Sequence, residues 1–303
     1  MRGSRSSNNF HAGFGGRSVS LRSRLPDSGN GTARLPRLLT GAALLLLVAA
    51  ALQAAPQAEL WPRWEAHDPS STEVVDHSDW ASILDGYLVT GHPSGVNRFR
   101  YGEVSGTDRD TLQEYIESLE ATPVSELNRD EQYAYWFNFY NALTVELILD
   151  NYPLDSIRDI GGLFSQGPFD KKLATVEGEE ISLNDIEHRI LRPIWKDPRI
   201  HYGVNCASIG CPNLLPEPFT GTTVDRQLEE AAAEYINHPR GVSVGRRRLT
   251  LSSIYDWFQA DFDGSLEGVL AHLREYAEEE LQSELRSPPD NVRFEYDWSL
   301  NEP

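Results

Sequence analysis

The segment 131–151, EQYAYWFNFYNALTVELILDN, constrains the fold more than any other part of the chain. Aromatic and aliphatic residues occupy nearly every turn of its helical pattern, so no polar stripe is left to face water. A helix that is apolar all round belongs at the centre of a domain, covered by other elements. Pro153 ends it. Two amides interrupt the apolar surface. Asn138 and Asn141 lie three apart and so neighbour one another on one face. A buried amide without partners costs a few kcal/mol. Two uses are open: fastening nearby loops, which is the commoner use of a buried amide, and binding or positioning a reacting group.

The elements expected around this helix are mixed. Trp80, Ile83, Leu84, Tyr87 and Leu88 recur at helical spacing behind Ser78, a plausible N-cap. A loop is expected over 98–101, and Leu112, Tyr115, Ile116 and Leu119 mark a second amphipathic helix. Residues 172–176 and 180–183 flank a Glu-Gly-Glu turn and read as a hairpin. Ser182 and Asp185 form a capping-box pair that opens a helix ending at Pro193. Residues 199–206 (RIHYGVNC) read as a short buried strand. A helix over 223–237, a hairpin over 242–251, a helix holding Ile254, Trp257 and Phe258, a long helix over 266–285 and a closing strand over 292–298 follow. The pattern predicts an α+β fold: a central buried helix with a small antiparallel sheet. No internal repeat or long linker divides it, so 59–303 is expected to be a single domain.

Charge separates this body from what precedes it. The chain carries 27 Lys and Arg against 46 Asp and Glu, a net of −19. Residues 1–58 contain seven Arg and one acid, Asp27, which leaves the strongly acidic balance to 59–303. Arg34 and Arg37 precede an apolar run over 38–52, and small residues follow over 53–58. Basic, apolar and small-residue zones in that order are the parts of a secretory signal. The run is short of the ~20 residues a spanning helix needs, so export is expected, to a periplasmic or extracellular space, with an uncleaved membrane anchor as the alternative. The residues before Arg34 are read as a disordered extension. The acidic body excludes a dedicated nucleic-acid binder, since phosphate contacts need Lys and Arg. Any membrane contact is expected only through the N-terminal segment. The substrate or protein partner stays unidentified.

Residues suited to catalysis concentrate between 187 and 211: Glu187, His188, His201, Cys206 and Cys211. Glu187 and His188 are adjacent on a helix, so their side chains should diverge by about 100°. On a strand, His201 and Cys206 would point to opposite faces about 16 Å apart. His188 could meet Cys206 across a cleft. A thiol attacks as its thiolate, which a nearby imidazole stabilises. The small residues Ala207, Ser208 and Gly210 after Cys206 would let backbone N–H groups face a reacting carbonyl. Pattern alone leaves nucleophile, Cys206–Cys211 disulfide and inert core residue open for Cys206. The His and Cys spacings match no zinc-finger or ribbon pattern, and no metal is expected. No G-x-S-x-G elbow, Walker A loop, H-E-x-x-H or dinucleotide fingerprint occurs, and no cofactor is expected. Arg246, Arg247 and Arg248 read as a hairpin tip.

Four stretches together resemble a known family. YWFNFYNALTVELIL (135–149), ISLNDIEHRILR (181–192), IHYGVNCASIGCPNL (200–214) and VRFEYDWSLN (292–301) look, in order and spacing, like the domain of unknown function 547 family. The resemblance covers roughly 130–301. It implies a fold related to papain-like or transglutaminase-like cysteine enzymes, with Glu187, His188 and Cys206 at the site and His201 nearby. One departure from papain order is plain. There the cysteine opens the central helix and the histidine follows, whereas here the central helix carries Asn138 and Asn141 and Cys206 follows His188. Two functions are therefore expected. One is a thiol-dependent hydrolase or transferase acting on an amide bond. Cys206 would be the nucleophile and His188 or His201 the base. Glu187 would orient the histidine that is not its neighbour, and Asn141 or backbone N–H groups would position an oxyanion. The other is a non-catalytic extracytoplasmic binding or scaffold protein that reuses the fold.

Overall fold

The computed structural model describes residues 56–161 and 167–303. The leader expected over 1–58 lies almost wholly outside the described residues, as does most of the glycine-rich stretch 161–167. The described chain is α+β. Helix α1 (Ser78–Tyr87) leads into a two-stranded ladder, β1 (Leu88–Val89) and β2 (Arg98–Phe99). The loop expected over 98–101 thus contributes a strand. At the start of α1, Asp76 Oδ1 accepts the Ser78 N–H at 2.9 Å and His77 takes the N-cap position, displacing Ser78 from that role. Helix α2 (Gly106–Ala121) is capped by Ser105, which accepts from Asp108 N.

Helix α3 (Arg129–Asn151) is the central helix, capped by Asn128 accepting from Glu131 N. Every residue from Glu131 to Leu149 except Glu146 is buried on it. Its polar side chains act as fasteners for the segments that cover it. Glu131 accepts from Val75 N at 2.8 Å and Gly221 N at 3.1 Å. Gln132 donates to Ala66 O and Val124 O. Asn138 both donates to and accepts from Phe219, at 2.8 and 2.9 Å. Asn141 donates to Gly203 O at 3.0 Å and accepts from Asn205 N at 2.9 Å. Both amides are engaged by backbone, which is how a water-excluded helix can carry polar groups without penalty.

Hairpin β3 (Ala174–Val176) and β4 (Glu179–Ile181) precedes helix α4 (Asp185–Leu191), which continues directly as α5 (Arg192–Trp195). Residues read as a strand over 199–206 are instead a single helical turn, α6 (Ile200–Gly203), followed by extended chain. Asp197-Pro198 starts that turn. Asp197 Oδ1 accepts the Arg199 N–H at 2.8 Å, and Ile200 N bonds Asp197 O. Proline early in a helix sacrifices no bond. Gly203 lets the turn lie against α3, since a Cβ there would come within 2.5 Å of the Phe137 ring.

Helix α7 (Val224–Ile236), hairpin β5 (Val242–Gly245) and β6 (Arg248–Ser252), helices α8 (Ile254–Trp257), α9 (Leu266–Tyr276) and α10 (Glu279–Leu285), and strand β7 (Val292–Glu295) complete the chain. The long helix expected over 266–285 is broken at Ala277–Glu278. Asn237 holds the break open, donating to Tyr276 O and accepting from Glu278 N. Strand β7 runs parallel to β6, so the expected small antiparallel sheet is replaced by two antiparallel ladders and one mixed three-stranded sheet.

Apolar packing forms two clusters. The first surrounds α3 and includes α1, α2, β3, β4 and α4. The second joins α7, α9 and the three-stranded sheet. Among the described residues, no helix is long and apolar enough to cross a membrane.

Candidate active site between the two clusters

A cavity of about 280 Å³ opens where the clusters meet. Tyr140, Glu187, His188, His201, Val204, Cys206 and Cys211 line it, together with the aromatic residues Trp257, Phe258, Tyr296 and Trp298. All four residues expected to be catalytic reach this cavity. Asn138 and Asn141, expected to bind, are not among its walls, and act on it only through the loops they hold.

The helix that carries Glu187 and His188 is irregular. Helix α4 is a π-helix, with Arg192 N bonded to Glu187 O, five residues back. Its start is fixed by reciprocal bonds between Ser182 and Asp185. Its end meets Pro193, which has no N–H to return to His188 O or Arg189 O. Those carbonyls are met from outside, by Glu59 N at 2.9 Å and Trp61 N at 3.0 Å. Such π segments recur at functional sites. Glu187 and His188, expected to diverge, instead share the cavity, with Glu187 Oε1 3.9 Å from His188 Nδ1.

Four charged side chains form a buried network behind the wall. His201 is held between two carboxylates, its Nδ1 3.6 Å from Glu187 Oε1 and its Nε2 2.7 Å from Asp261 Oδ2. The imidazole stacks on Phe258 with ring centroids 4.4 Å apart. Burial alone would lower its pKa. The hydrogen bond to Asp261 and the nearby Glu187 carboxylate outweigh that and raise it. Burial would likewise raise both carboxyls. Glu187 faces His188, His201 and Arg192, and Asp261 faces His201 and Arg192, and each is held down at about 2. Arg192 donates to Asp261 Oδ2 at 2.6 Å and to His188 Nδ1 at 3.0 Å. A guanidinium only donates, so His188 Nδ1 accepts and its proton sits on Nε2. Burial, with the Arg192 charge adding to it, pushes the His188 pKa down to about 4. The two histidines therefore differ: the two carboxylates around His201 favour its charged form, while the surroundings of His188 favour its neutral form.

The cysteines sit on a loop tied down at both ends. Asn141 fixes Asn205, and the Asn205 side chain accepts from Ala207 N and donates to Pro212 O. Ala207 takes a left-handed conformation, φ 59°. Residues 207–210 pair with the C-terminal segment through Ile209 N to Ser299 O, Gly210 N to Asp297 O and Asn301 N to Ala207 O. Gly210 is required there, because a Cβ would lie 2.9 Å from the Asp297 backbone. This pairing delivers Tyr296 to the sulfurs. Its hydroxyl lies 3.1 Å from Cys206 Sγ and 3.0 Å from Cys211 Sγ. Ser208 Oγ–H donates to the Tyr296 oxygen at 2.9 Å, which leaves the phenolic proton for a sulfur. Cys206 N–H points at Cys211 Sγ, 3.0 Å away.

Both cysteines are free thiols. They favour one thiolate between them, and donors decide where it rests. Burial would raise the Cys211 pKa, but donors from Cys206 and Tyr296, with the Ser208 hydroxyl beside them, bring it to about 6. Contact with Cys211 and burial push Cys206 well up. Among the described residues, no hydrogen bond joins either sulfur to His188 or His201. The expected Cys206–imidazole pair is replaced by a Cys206–Cys211 pair. The expected backbone oxyanion site is mostly taken up: the N–H groups of Cys206, Ala207, Ile209, Gly210 and Cys211 are each engaged within the protein, and that of Ser208 is the one in this loop with no hydrogen bond to the described residues.

Residues 124–236 match a family model described as "Protein of unknown function, DUF547". This part of the chain belongs to the DUF547 family. No curated protein and no solved structure matches the chain. The DUF547 segment supplies Tyr140, Glu187, His188, Arg192, His201 and both cysteines. Asp261, Trp257, Phe258, Tyr296 and Trp298 come from beyond it, so the cavity needs more than the DUF547 match.

Sequence reasoning missed Arg192 and Tyr296, although both stand in the quoted stretches, and it did not weigh Cys211 as the nucleophile. Arg192 carried a usable signal: it lies four residues after His188, one helical turn away. Asp261 carried none. It sits on a short 3-10 turn, Gln259–Asp261, with no motif around it. Among the described residues, no three or more His, Cys, Asp or Glu side chains are grouped to hold a metal ion.

Proposed function

We propose that the cavity is the active site of a thiol-dependent acyl-transfer enzyme, a hydrolase or transferase acting on an amide bond. One observation carries this reading: both cysteines, Glu187, His188 and His201 line a single apolar-walled cavity. Cys211, as the thiolate, attacks the amide carbonyl carbon. The developing oxyanion takes the Nε2–H of neutral His188, a donor that transfers no proton, as neutral imidazole can in other enzymes. The C–N bond breaks as the Cys206 thiol gives its proton to the departing amine. Cys211 is left as a thioester and Cys206 as a thiolate. Water or another acceptor then attacks the thioester, its proton returning to Cys206. Arg192 holds His188 in the required tautomer. His201, bound by Glu187 and Asp261, keeps the wall charged and rigid. Cys206, first expected as the nucleophile, becomes the proton carrier. We further propose that the chain is exported, its basic and apolar leader acting as the signal; N-terminal sequencing of the secreted product would locate the cut.

Iodoacetamide labelling followed by mass spectrometry tests the thiolate. The label is expected on Cys211 at neutral pH. Turnover of amide and thioester test substrates should vanish in Cys211→Ala. Turnover undiminished in both Cys211→Ala and Cys206→Ala would overturn the reading.

A second reading has its own support. His201 has both ring nitrogens on carboxylates and His188 Nδ1 is occupied by Arg192. A non-catalytic extracytoplasmic binding protein would need no free base. Thiol-dependent turnover rejects it.

A further inference from the structure

The Cys206–Cys211 pair has the makings of a second activity. Neither sulfur is a lone cysteine on a surface. Both are buried or nearly so, both line the cavity, and each touches the other's hydrogen-bond partners. Cys211 Sγ lies 3.0 Å from Cys206 N, and the Tyr296 hydroxyl sits about 3 Å from both sulfurs, at 3.1 and 3.0 Å. Ser208 Oγ lies 3.2 Å from Cys206 Sγ and 3.5 Å from Cys211 Sγ. Four positions separate the cysteines in a loop that already folds back on itself, with Cys211 N bonded to Ser208 O at 3.1 Å. Joining the sulfurs therefore asks little of the backbone.

We propose that this pair is a dithiol that exchanges with small organic disulfides, forming a Cys206–Cys211 disulfide. Cys211 attacks one sulfur of the incoming disulfide. That S–S bond breaks, and one organic thiolate leaves. Cys211 is now in a mixed disulfide. Cys206 gives its proton to the departed thiolate and attacks the Cys211 sulfur. The mixed disulfide breaks, and the second organic thiolate leaves and takes a proton from solvent. Two electrons pass from the protein dithiol to the organic disulfide, which is reduced to two thiols. The donors around Cys211 make it the attacking sulfur and leave Cys206 to resolve. The cavity of about 280 Å³, walled by Trp257, Tyr296 and Trp298, selects small neutral disulfides over folded proteins. The inference rests on the sulfur pair of the proposed site and not on its acyl chemistry. A protein that forms this disulfide but turns over no amide keeps it and loses the earlier reading.

The test uses bis(2-hydroxyethyl) disulfide on the full chain, followed by N-ethylmaleimide and mass spectrometry. The treated protein is expected to lose two hydrogens and take up no maleimide, and dithiothreitol should restore both thiols. In Cys206→Ser, one 2-mercaptoethanol is expected to stay trapped on Cys211. In Cys211→Ser, trapping on Cys206 should be at least about tenfold slower. Circular dichroism matching the parent protein shows that each variant is folded. Two maleimides taken up after equilibration would overturn the proposal. So would equal trapping rates in the two variants.

Discussion

Helices α3 and α4 are both buried and pack against each other, yet they do opposite work. In α3, Glu131, Asn138 and Asn141 end on the backbone of covering segments: Glu131 on Val75 and Gly221, Asn138 on Phe219, Asn141 on Gly203 and Asn205. In α4 and the start of α5, the polar side chains meet other charged side chains: Glu187 meets His201, and Arg192 meets Asp261 and His188. The first helix is regular and satisfies its own ladder. The second is a π-helix whose carbonyls need donors from residues 59 and 61. Polar groups closed onto backbone give a scaffold. Polar groups closed onto one another give a site whose charges can be altered without dismantling a loop.

The charged side of this comparison should break hardest. Asp261→Asn removes the carboxylate between His201 and Arg192 and leaves a buried excess of positive charge. Loss of one partner from a buried ion network costs about 3–5 kcal/mol. Urea unfolding should show that loss, and an NMR titration should find the His201 pKa lower than in the parent. A loss below about 1 kcal/mol would mean that the network is not what joins the two walls. The amide side comes next. Asn141→Leu leaves Gly203 O and Asn205 N buried without partners, at about 1–3 kcal/mol for each such group. Asn138→Leu should behave alike at Phe219. Asn141→Leu should also loosen the loop that carries the cysteines, so its iodoacetamide labelling should change while that of Asn138→Leu stays closer to the parent.

Acid should act on the two helices in opposite directions. On α4, His188 has a folded pKa of about 4 against an ordinary 6.5. Between those values the unfolded chain binds more protons, so stability falls as pH falls through that window, by up to about 3 kcal/mol. On α3, burial and the nearby Asp150 raise Glu146 to about 7 from 4.5. There the folded chain binds more protons, so stability is present below 4.5 and is lost as pH rises through 7. The difference in stability between the parent and Glu146→Gln should therefore favour the variant at pH 8 and shrink toward pH 5. For His188→Gln the variant should gain on the parent as pH drops from 6.5 to 4. The same sign for both would refute the assignment.

The scaffold was legible in the sequence because it obeys local rules. An all-apolar run with Pro153 behind it can only be a covered helix, and the Ser182–Asp185 capping box reads directly. The α+β class followed from such signals. The errors fell where a distant contact decided. Residues 199–206 have strand-like composition, but the Asp197-Pro198 turn and the fit of Gly203 against Phe137 make a helical turn. The 266–285 pattern is continuous, yet Asn237 clamps a break that periodicity cannot show. At the site, residue types and their clustering were legible, and pairing was not. Adjacent Glu187 and His188 diverge on a helix, and nothing local shows that both line one cavity. Asp261 lies sixty residues after His201 in an ordinary-looking turn, and nothing local marks it.

The smallest expected effect is also the most specific to the π-helix. Pro193→Ala restores an N–H at the position whose absence leaves His188 O and Arg189 O to Glu59 N and Trp61 N. Alanine has the higher helix propensity, so stability alone should change by about 1 kcal/mol or less, since the new donor competes with bonds already made. The consequence lies in register. A new bond from residue 193 to Arg189 O would tighten the segment toward an α-helix, keeping Arg192 one turn from His188 but rotating His188 out of its packed position. His188 would then be less buried, and its pKa should rise from about 4 toward 6.5. An NMR titration of His188 reads this directly, and hydrogen exchange at Glu59 and Trp61 should speed up as their acceptors are taken. If the His188 pKa and both exchange rates stay at their parent values, Pro193 is not what holds α4 in its π form, and the capping box at Ser182 and the strap of residues 59 to 61 would have to do so unaided.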